Sequence, residues 1–535
     1  MSKNIRFLKK QNPKELYAHI DAYMKEKGFE LYNYQKIGLE WMLKRELLGF
    51  SLEKIDTKIG GGILGDEPGL GKTIQTCATM RCNPKKRTLI VVPKSVIFQW
   101  KNAINKILPK YKVFIYSSGT YTTSRQLRQS NFDVLITSYG MLYTKKDQLT
   151  PIHQFGKWDR IVLDEAHIIR NSKSKIHKSI SFLQSPIKWC LTGTPVQNSH
   201  KDLCSLYKFL GLPDFYMDYV KVINKSLLLK RGKEIFKLLN ISLPKLNHID
   251  YILDFNSEKE RDFYSKLKSN ILENYLTLLD ESNNKKIVYL ELLLRLRQIS
   301  IHPEIAINRL NAKFDMKIPN FLGYSTKIQK LIELIHAKKN QYCIVFSYFK
   351  KEMDIIGNYL NSNKIGFRTY HGGTSSKERH QVLNMFPDRD IINTIGKKFC
   401  LEDNITQKIY SYFPKVLLIQ INAGGVGLNL QQFSQVFITS PNWNPSNEIQ
   451  AIARAHRLGQ KKPVFVHRLL LFDQQDEFNT IDEHITEKQT DKKLIMSDIL
   501  DDKKYVDMSN VEFNVKSMRN KDLANKLIEN LSINI

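Results

Sequence analysis

Residues Gly62 to Thr73 read Gly-Ile-Leu-Gly-Asp-Glu-Pro-Gly-Leu-Gly-Lys-Thr, and Ile74, Cys77, Ala78 and Met80 follow at amphipathic spacing. A short apolar run, a glycine turn and a helix in that order form the strand–loop–helix unit of a doubly wound parallel sheet. Gly69 and Gly71 let the backbone curl so that its N–H groups and the new helix N-terminus face one anion. In that setting Lys72 extends to the β- and γ-phosphates of a nucleotide, and Thr73 offers its hydroxyl to Mg²⁺. The generic pattern has Gly where Asp66 stands, so on this loop alone a plain turn is an equal reading.

The chain of 535 residues has room for two to four domains with proper cores. It holds 82 Lys and Arg against 53 Asp and Glu, a net charge of +29. An excess of this size in an otherwise ordinary globular composition favours a polyanionic partner, nucleic acid, over a merely solubilising surface. None of Cys77, Cys82, Cys190, Cys204, Cys343 and Cys400 forms a C-x-x-C pair. That excludes a zinc ribbon or finger and reads as core thiols in a reducing compartment. No apolar window reaches spanning length and Met1 to Lys10 has no signal-type core, so the expectation is a soluble intracellular protein with no membrane partner.

Along the chain, Leu16, Ile20 and Tyr23 mark a lead-in helix, and Leu31 to Gln35 opens another. Gln35 has two readings. It is a helix-start amide bonding local backbone, or an amide whose donor and acceptor clamp an adenine edge just ahead of the phosphate loop. Apolar runs at Thr88–Val92, Val113–Tyr116, Phe132–Thr137, Ile161–Leu163 and Trp189–Leu191 read as buried parallel strands. From Asp202 to about Asn320 helical periodicity with interleaved Lys and Arg replaces them. A second set of strands follows at Tyr342–Ser347, Phe367–Tyr370, Lys415–Ile419, Val436–Ile438 and Val464–Leu469. Residues from about Pro387 to Pro414 read as a loop or small insertion, and Thr480 to Leu500 as a charged helix.

Two strand ends and one helix face carry chemistry. Asp164 and Glu165 follow the run Ile161–Leu163. Beside a glycine–lysine loop they read as metal and water: Asp164 holds Mg²⁺ and Glu165 orients or deprotonates the attacking water. Taken alone the pair could be a turn cap. Thr192 and Thr194 are either turn hydroxyls or a link between a phosphate site and the neighbouring lobe. Gln450, Arg454 and Arg457 fall at i, i+4 and i+7, one face of a helix. They are either a solvated stripe or arginine fingers for charge developing on a transferred phosphoryl group.

The order of these motifs resembles the Swi/Snf-type family of ATP-dependent DNA translocases, a DEAH-box form of the second helicase superfamily. The resemblance runs from about Leu31 to about Leu500. It rests on Tyr34-Gln35, Asp66 to Thr73, Asp164 to His167, Leu191 to Asn198, Ala423 to Leu430 and Arg454-Ala455-His456-Arg457-Leu458-Gly459-Gln460. Leu294 to Pro303 and Ile168 to Asn171 look closest to the branch of helicase-like transcription factor and transcription-termination ATPases.

The resemblance implies two RecA-like doubly wound parallel-sheet lobes, a helical insertion between them and a C-terminal brace helix. The expected boundaries are a lead-in at 1–30, lobe 1 at 31–210, the insertion at 211–320, lobe 2 at 321–475 and brace and tail at 476–535. It implies ATP and Mg²⁺ as cofactors. Catalysis falls to Lys72, Asp164, Glu165, Gln450, Arg454 and Arg457. ATP is held by Gln35 and by Asp66, Glu67, Pro68, Gly69, Leu70, Gly71, Lys72 and Thr73, with Mg²⁺ at Thr73 and Asp164. His167, Thr192 and Thr194 couple the site to the second lobe. Duplex DNA is contacted by Lys94, Ser95, Ser138, Tyr139, His371, Gly372, Gly424, Gly425 and Trp443. Such contacts to phosphates give strong salt dependence and little sequence preference.

The expected activity is a DNA-stimulated ATPase that moves along duplex DNA as a monomer, without necessarily unwinding it. Nucleosomes, RNA polymerase or other DNA-bound proteins are its open partners. Its place is the nucleus in a cell, or a cytoplasmic factory or virion for a virus, where near-minimal motors of this kind occur. Pro68, Asn422, Ser440 and Ala453 depart from residues usual in the family. The competing readings are an RNA helicase and a catalytically weak DNA-bound scaffold or transcription-termination partner.

Overall fold

The computed structural model describes residues 13–50, 58–119, 123–143, 149–197, 199–214, 220–238, 243–281, 285–338, 341–374, 376–387, 414–421, 428–473 and 480–500. The fold divides into two compact units that meet in sequence between Ser242 and Leu243. Each is built on a parallel sheet.

In the first unit the strands are β1 (Gly60–Leu64), β2 (Thr88–Val92), β3 (Val113–Tyr116), β4 (Val134–Ser138), β5 (Arg160–Asp164), β6 (Ile187–Leu191) and β7 (Leu228–Leu229). Their spatial order is β3-β4-β2-β5-β6-β1-β7 and every pairing is parallel. β2 and β4 are buried at every residue, which is why they read as unbroken apolar runs. The edge strand β3 is only half-buried. The lead-in helix Pro13–Glu26 belongs to this unit and is not a separate segment. Ile20 and Met24 are buried, and the Tyr23 hydroxyl donates to the Ile107 carbonyl at 2.6 Å.

Register decides what the sheet presents at its carboxyl edge. Asp164 pairs with Leu191 and Leu191 with Leu64, so the last residues of β5, β6 and β1 form one row. Adjacent strands lie about 4.8 Å apart, which sets the acidic pair, the Thr192 turn and the glycine loop side by side. A buried ion pair anchors the other end of β5. Arg160 donates to both Glu46 oxygens at 2.7 and 2.5 Å, and the Trp189 indole donates to Glu46 at 2.9 Å. Glu46 lies on the helix Asn33–Leu48, which also carries Gln35.

The second unit contains β8 (Leu246–Leu253), β9 (Cys343–Ser347), β10 (Phe367–Tyr370), β11 (Val416–Gln420), β12 (Gln435–Ile438) and β13 (Val464–Leu471) in the order β10-β11-β9-β12-β13-β8, again all parallel. A buried polar network knits its helices to the sheet. Lys327 pairs with Asp482, which also accepts from the Leu471 amide at 3.0 Å and the Ser300 hydroxyl at 3.2 Å. Gln489, on the same helix as Asp482 (Ile481–Leu500), donates to Glu448 at 2.7 Å and to the Asn442 carbonyl at 2.5 Å. That helix therefore holds the start of the helix Pro445–Ala455, which carries Gln450 and Arg454.

Two expectations need correction. Residues 211–320 are not a purely helical insertion, although the helices Glu258–Glu281, Lys285–Ile301 and Glu304–Phe314 lie there. β7 extends the first sheet beside β1, and β8 extends the second beside β13. β7 is only two residues long at the end of a helix, and β8 is mixed in sequence and partly exposed at a sheet edge, so neither stands out as a strand. The helix of Gln450 and Arg454 also ends at Ala455, so Arg457 does not share its face. His456 leaves helical dihedrals and Gly459 takes a left-handed φ of 93°. The expected loop at 387–414 lies outside the described residues from 388 to 413.

Candidate nucleotide site and arginine turn

The glycine loop is shaped by close approach. Gly69 and Gly71 have φ of 97° and 80°, and a Cβ on Gly71 would lie 2.4 Å from Gln35 Nε2. Lys72 begins the loop helix Lys72–Cys82, and its ammonium donates to the Asp66 carbonyl at 2.7 Å. It is thereby folded over the cradle that a phosphate chain would fill. Pro68 packs against the β6 turn, where a Cβ on Gly193 would lie 2.7 Å from Pro68 Cδ. Pro68 removes one amide donor from the cradle but closes the loop onto the Thr192–Thr194 turn.

Both readings of Gln35 draw on the same amide. Its Oε1 accepts from the Tyr32 amide at 3.1 Å, and its Nε2 donates to the Leu70 carbonyl at 3.2 Å. It thus ties the helix start to the loop. Asp66 is fully buried, and its carboxylate is occupied: Arg231 donates to it at 2.8 and 2.5 Å and Gln75 at 3.0 Å. The Arg231 guanidinium also reaches Gln75 Oε1 at 2.8 Å and the Tyr34 carbonyl. Glu67 donates its amide to the Arg231 carbonyl at 2.9 Å and accepts from the Lys233 amide at 3.2 Å. The side chains of Asp66 and Glu67, expected on the nucleotide, therefore brace the loop against the segment after β7.

Asp164 is half-buried at the end of β5. Its Oδ1 accepts from the Glu165 amide at 3.0 Å and its Oδ2 from the Trp100 indole at 2.8 Å. Burial and the neighbouring Glu165 carboxylate push its pKa above the usual carboxylate range, against the pull of the Trp100 bond and the Lys72 charge. Glu165 holds φ 51°, a left-handed conformation rare for a non-glycine residue and concentrated at functional sites. His167 Nδ1 lies 3.3 Å from Glu165 Oε2 and 3.2 Å from the Thr192 hydroxyl. Thr192 accepts from the Thr194 amide at 3.2 Å, and Thr194 from the Gln197 side chain at 3.2 Å. The three expected coupling residues thus form one connected chain running from the acidic pair.

These groups fit a nucleotide with Mg²⁺. The backbone cradle is lined where a Cβ would clash, one lysine overlies it, and Asp164, with Glu165 next to it, lies within reach of that charge. Among the described residues no three His, Cys, Asp or Glu side chains are grouped to hold a metal by themselves. Such a site suits Mg²⁺ shared between one carboxylate, a hydroxyl and phosphate oxygens.

In the second unit Gln450 and Arg454 are buried and Arg457 is half-buried. Burial and the nearby Arg454 guanidinium both lower the Arg457 pKa, so the two arginines are neighbours despite the helix end between them. The turn is fixed by Gln460, which donates to the Phe433 and Ala455 carbonyls at 3.0 and 3.1 Å, and by His456, 2.7 Å from the Pro244 carbonyl. Ser440 accepts from Arg297 at 3.1 Å.

The expected DNA contacts divide. Lys94 and Ser95 are exposed in the 3₁₀ turn after β2 (Lys94–Val96), and Gly372 is exposed after β10 with His371 half-buried beside it. Trp443 is half-buried against His484, ring centroids 5.8 Å apart. Ser138 and Tyr139 are buried, and the Tyr139 hydroxyl donates to the Asp164 carbonyl at 2.7 Å. Tyr139 therefore faces the acidic pair, where the sequence places it on DNA. Gly424, Gly425 and the departure Asn422 lie outside the described residues. Arg231, Gln75 and Trp100 escaped the reading of the sequence as site residues. Trp100 looks like an ordinary core residue of an amphipathic helix, and Arg231 lies far from the loop in sequence.

Comparison with known proteins gives consistent matches. An SNF2-related domain matches residues 34–220, and a helicase conserved C-terminal domain matches 326–396 and 402–459. The chain is 27% identical over 513 residues to the mouse SWI/SNF-related matrix-associated actin-dependent regulator of chromatin subfamily A member 1, covering 90% of this chain and 44% of that protein. It is 28% identical to a probable global transactivator of Orgyia pseudotsugata multicapsid polyhedrosis virus, covering 87% of this chain and 90% of that one. The chain thus spans less than half of the mouse relative and nearly the whole length of the viral one. The Sulfolobus solfataricus SWI2/SNF2 ATPase core solved with dsDNA covers 90% of this chain and 95% of its own at 25% identity, with a TM-score of 0.36.

Proposed function

Because this chain belongs to the SNF2-related family of helicase-type ATPases, we propose that it is a DNA-stimulated ATP hydrolase that moves along duplex DNA and remodels the proteins bound there. The observation that carries the reading is the aligned row of β5, β6 and β1 ends. It sets the Lys72 loop, the Asp164–Glu165 pair and the Thr192 turn on neighbouring strands. ATP lies on the loop backbone with Lys72 on its phosphates. When bound, Mg²⁺ neutralises phosphate charge, and Thr73 and Asp164 would hold it. Glu165 orients and deprotonates the attacking water. Arg454 and Arg457 are the proposed source of positive charge for the transferred phosphoryl group, and Gln450, one helical turn before Arg454, a neutral amide donor. His167, Thr192 and Thr194 carry the state of the site onward.

Duplex DNA is the proposed track. Most of the basic excess lies in the stretch that carries the nucleotide loop: residues 1–242 hold 41 Lys and Arg against 19 Asp and Glu, and residues 243–535 hold 41 against 34. Lys94, Ser95, His371, Gly372 and Trp443 are the proposed contacts among the described residues. The mouse relative is named as a regulator of chromatin and the viral relative as a global transactivator, so chromatin or a viral genome is the proposed setting. Nuclear or viral-factory placement follows from that setting. Among the described residues no helix is long and apolar enough to cross a membrane.

The test is ATP turnover with Mg²⁺ in the absence of nucleic acid and with duplex DNA, single-stranded DNA or duplex RNA. Duplex DNA is expected to stimulate most, with a strong loss between low and moderate salt. Stimulation chiefly by RNA would support an RNA helicase instead, and no turnover under any condition a DNA-bound scaffold.

A further inference from the structure

Asp164 receives two side-chain hydrogen bonds, and both donors sit beside the strand ends proposed to meet DNA. The Trp100 indole donates to its Oδ2 at 2.8 Å, and the Tyr139 hydroxyl to its carbonyl at 2.7 Å. The Trp100 helix, Ile97–Ile107, continues without a loop from the 3₁₀ turn Lys94–Val96, where Lys94 and Ser95 are exposed. Tyr139 follows Ser138, the last residue of β4, and opens a second 3₁₀ turn, Tyr139–Leu142, in which Gly140 is exposed. Each path from the surface to Asp164 is therefore a short stretch of regular backbone ending in one buried aromatic donor.

Packing alone does not call for these donors. Trp100 and Tyr139 are 1% and 6% exposed, and their packing needs only apolar ring surface, which phenylalanine supplies in full at Tyr139 and in part at Trp100. Burial pushes the Tyr139 hydroxyl well above its ordinary range, so it remains a donor. The Glu165 amide fixes one Asp164 oxygen and Trp100 fixes the other, so the orientation of the carboxylate depends on the Trp100 helix. A hydrogen bond to a carboxylate is among the stronger and more directional kinds.

We propose that Trp100 and Tyr139 are positioning residues through which contact of the DNA phosphate backbone with the Lys94–Val96 and Tyr139–Leu142 turns sets Asp164 for hydrolysis. This deepens the proposed function and rests on its reading of the DNA-stimulated ATPase. DNA stabilises the placement of both turns that aligns the carboxylate, and the two hydrogen bonds carry that preference to the acidic pair.

The test uses Trp100→Phe, Tyr139→Phe and the double variant in the full chain. ATP turnover is measured with and without saturating duplex DNA, together with duplex affinity by fluorescence anisotropy and binding of a fluorescent ATP analogue. The ratio of DNA-stimulated to basal turnover is expected to fall roughly tenfold or more in Trp100→Phe, the size of one hydrogen bond to a charged group, and roughly fivefold in Tyr139→Phe, whose bond is to a neutral carbonyl. Duplex affinity is expected to stay within about twofold, since neither polar atom faces outward. Turnover that falls by the same factor with and without DNA would overturn the proposal, because a purely structural role leaves the ratio unchanged. A ratio that falls only in step with DNA affinity would also overturn it. Should Trp100→Phe fail to fold, Tyr139→Phe, which removes a single oxygen, answers the question alone. A wild-type protein that DNA does not stimulate would refute the underlying function, an outcome distinct from stimulated wild type with unchanged ratios.

Discussion

Glu165→Gln is expected to lower ATP turnover by about a hundred- to ten-thousand-fold, the usual contribution of a positioned general base. The substitution keeps the size and polarity of the side chain and removes only its capacity to take a proton. Glu165 stands at a left-handed φ of 51° beside a half-buried Asp164, a conformation that costs about 1–3 kcal/mol and persists only where the surroundings hold it. The preceding strand end supplies that hold through the Trp100 and Tyr139 bonds to Asp164. Binding of a fluorescent ATP analogue should change little, because the loop and Lys72 are untouched. A variant that retains turnover within about tenfold would remove Glu165 from the chemistry.

Arg231→Met is expected to cost about 3–5 kcal/mol in the stability of the first unit, read from urea unfolding. Asp66 is fully buried, and the guanidinium is its only cationic partner among the described residues. Removing it strands a carboxylate in the interior and frees the loop from the segment after β7. The Michaelis constant for ATP should rise with the loss. Asp66→Asn combined with Arg231→Met should recover much of the stability, because the penalty arises from the uncompensated charge and not from the pair as such. A single variant that loses less than about 1 kcal/mol would show that the loop stands without this brace.

Much of the fold was legible because a buried parallel strand announces itself. Thr88–Val92, Val134–Ser138 and Cys343–Ser347 are buried throughout, and composition alone marks them. The glycine loop was legible for the same local reason, since its geometry is written in consecutive residues. What the sequence hid is long-range pairing. Arg231 lies within the stretch from Asp202 to about Asn320 that reads only as helical periodicity, and only the placement of the two-residue strand β7 beside β1 brings it to Asp66. β8 was hidden because its residues are mixed and half-exposed at a sheet edge. Helical spacing put Arg457 on one face with Arg454. The helix end at Ala455 breaks that spacing, and tertiary folding of the turn restores their proximity. The resemblance puts Tyr139 on DNA from its place just past a strand end, and the 3₁₀ turn that begins there sends its hydroxyl to the Asp164 carbonyl instead.

The most direct test of movement along duplex DNA is displacement of a third strand from a duplex with a triplex-forming tail, followed with and without ATP. The wild-type protein is expected to release the third strand only with ATP while the two strands beneath stay paired, and Glu165→Gln is expected to release none. Duplex-stimulated hydrolysis with the third strand left in place would contradict the account: the chain would then be a DNA-triggered ATPase that does not travel.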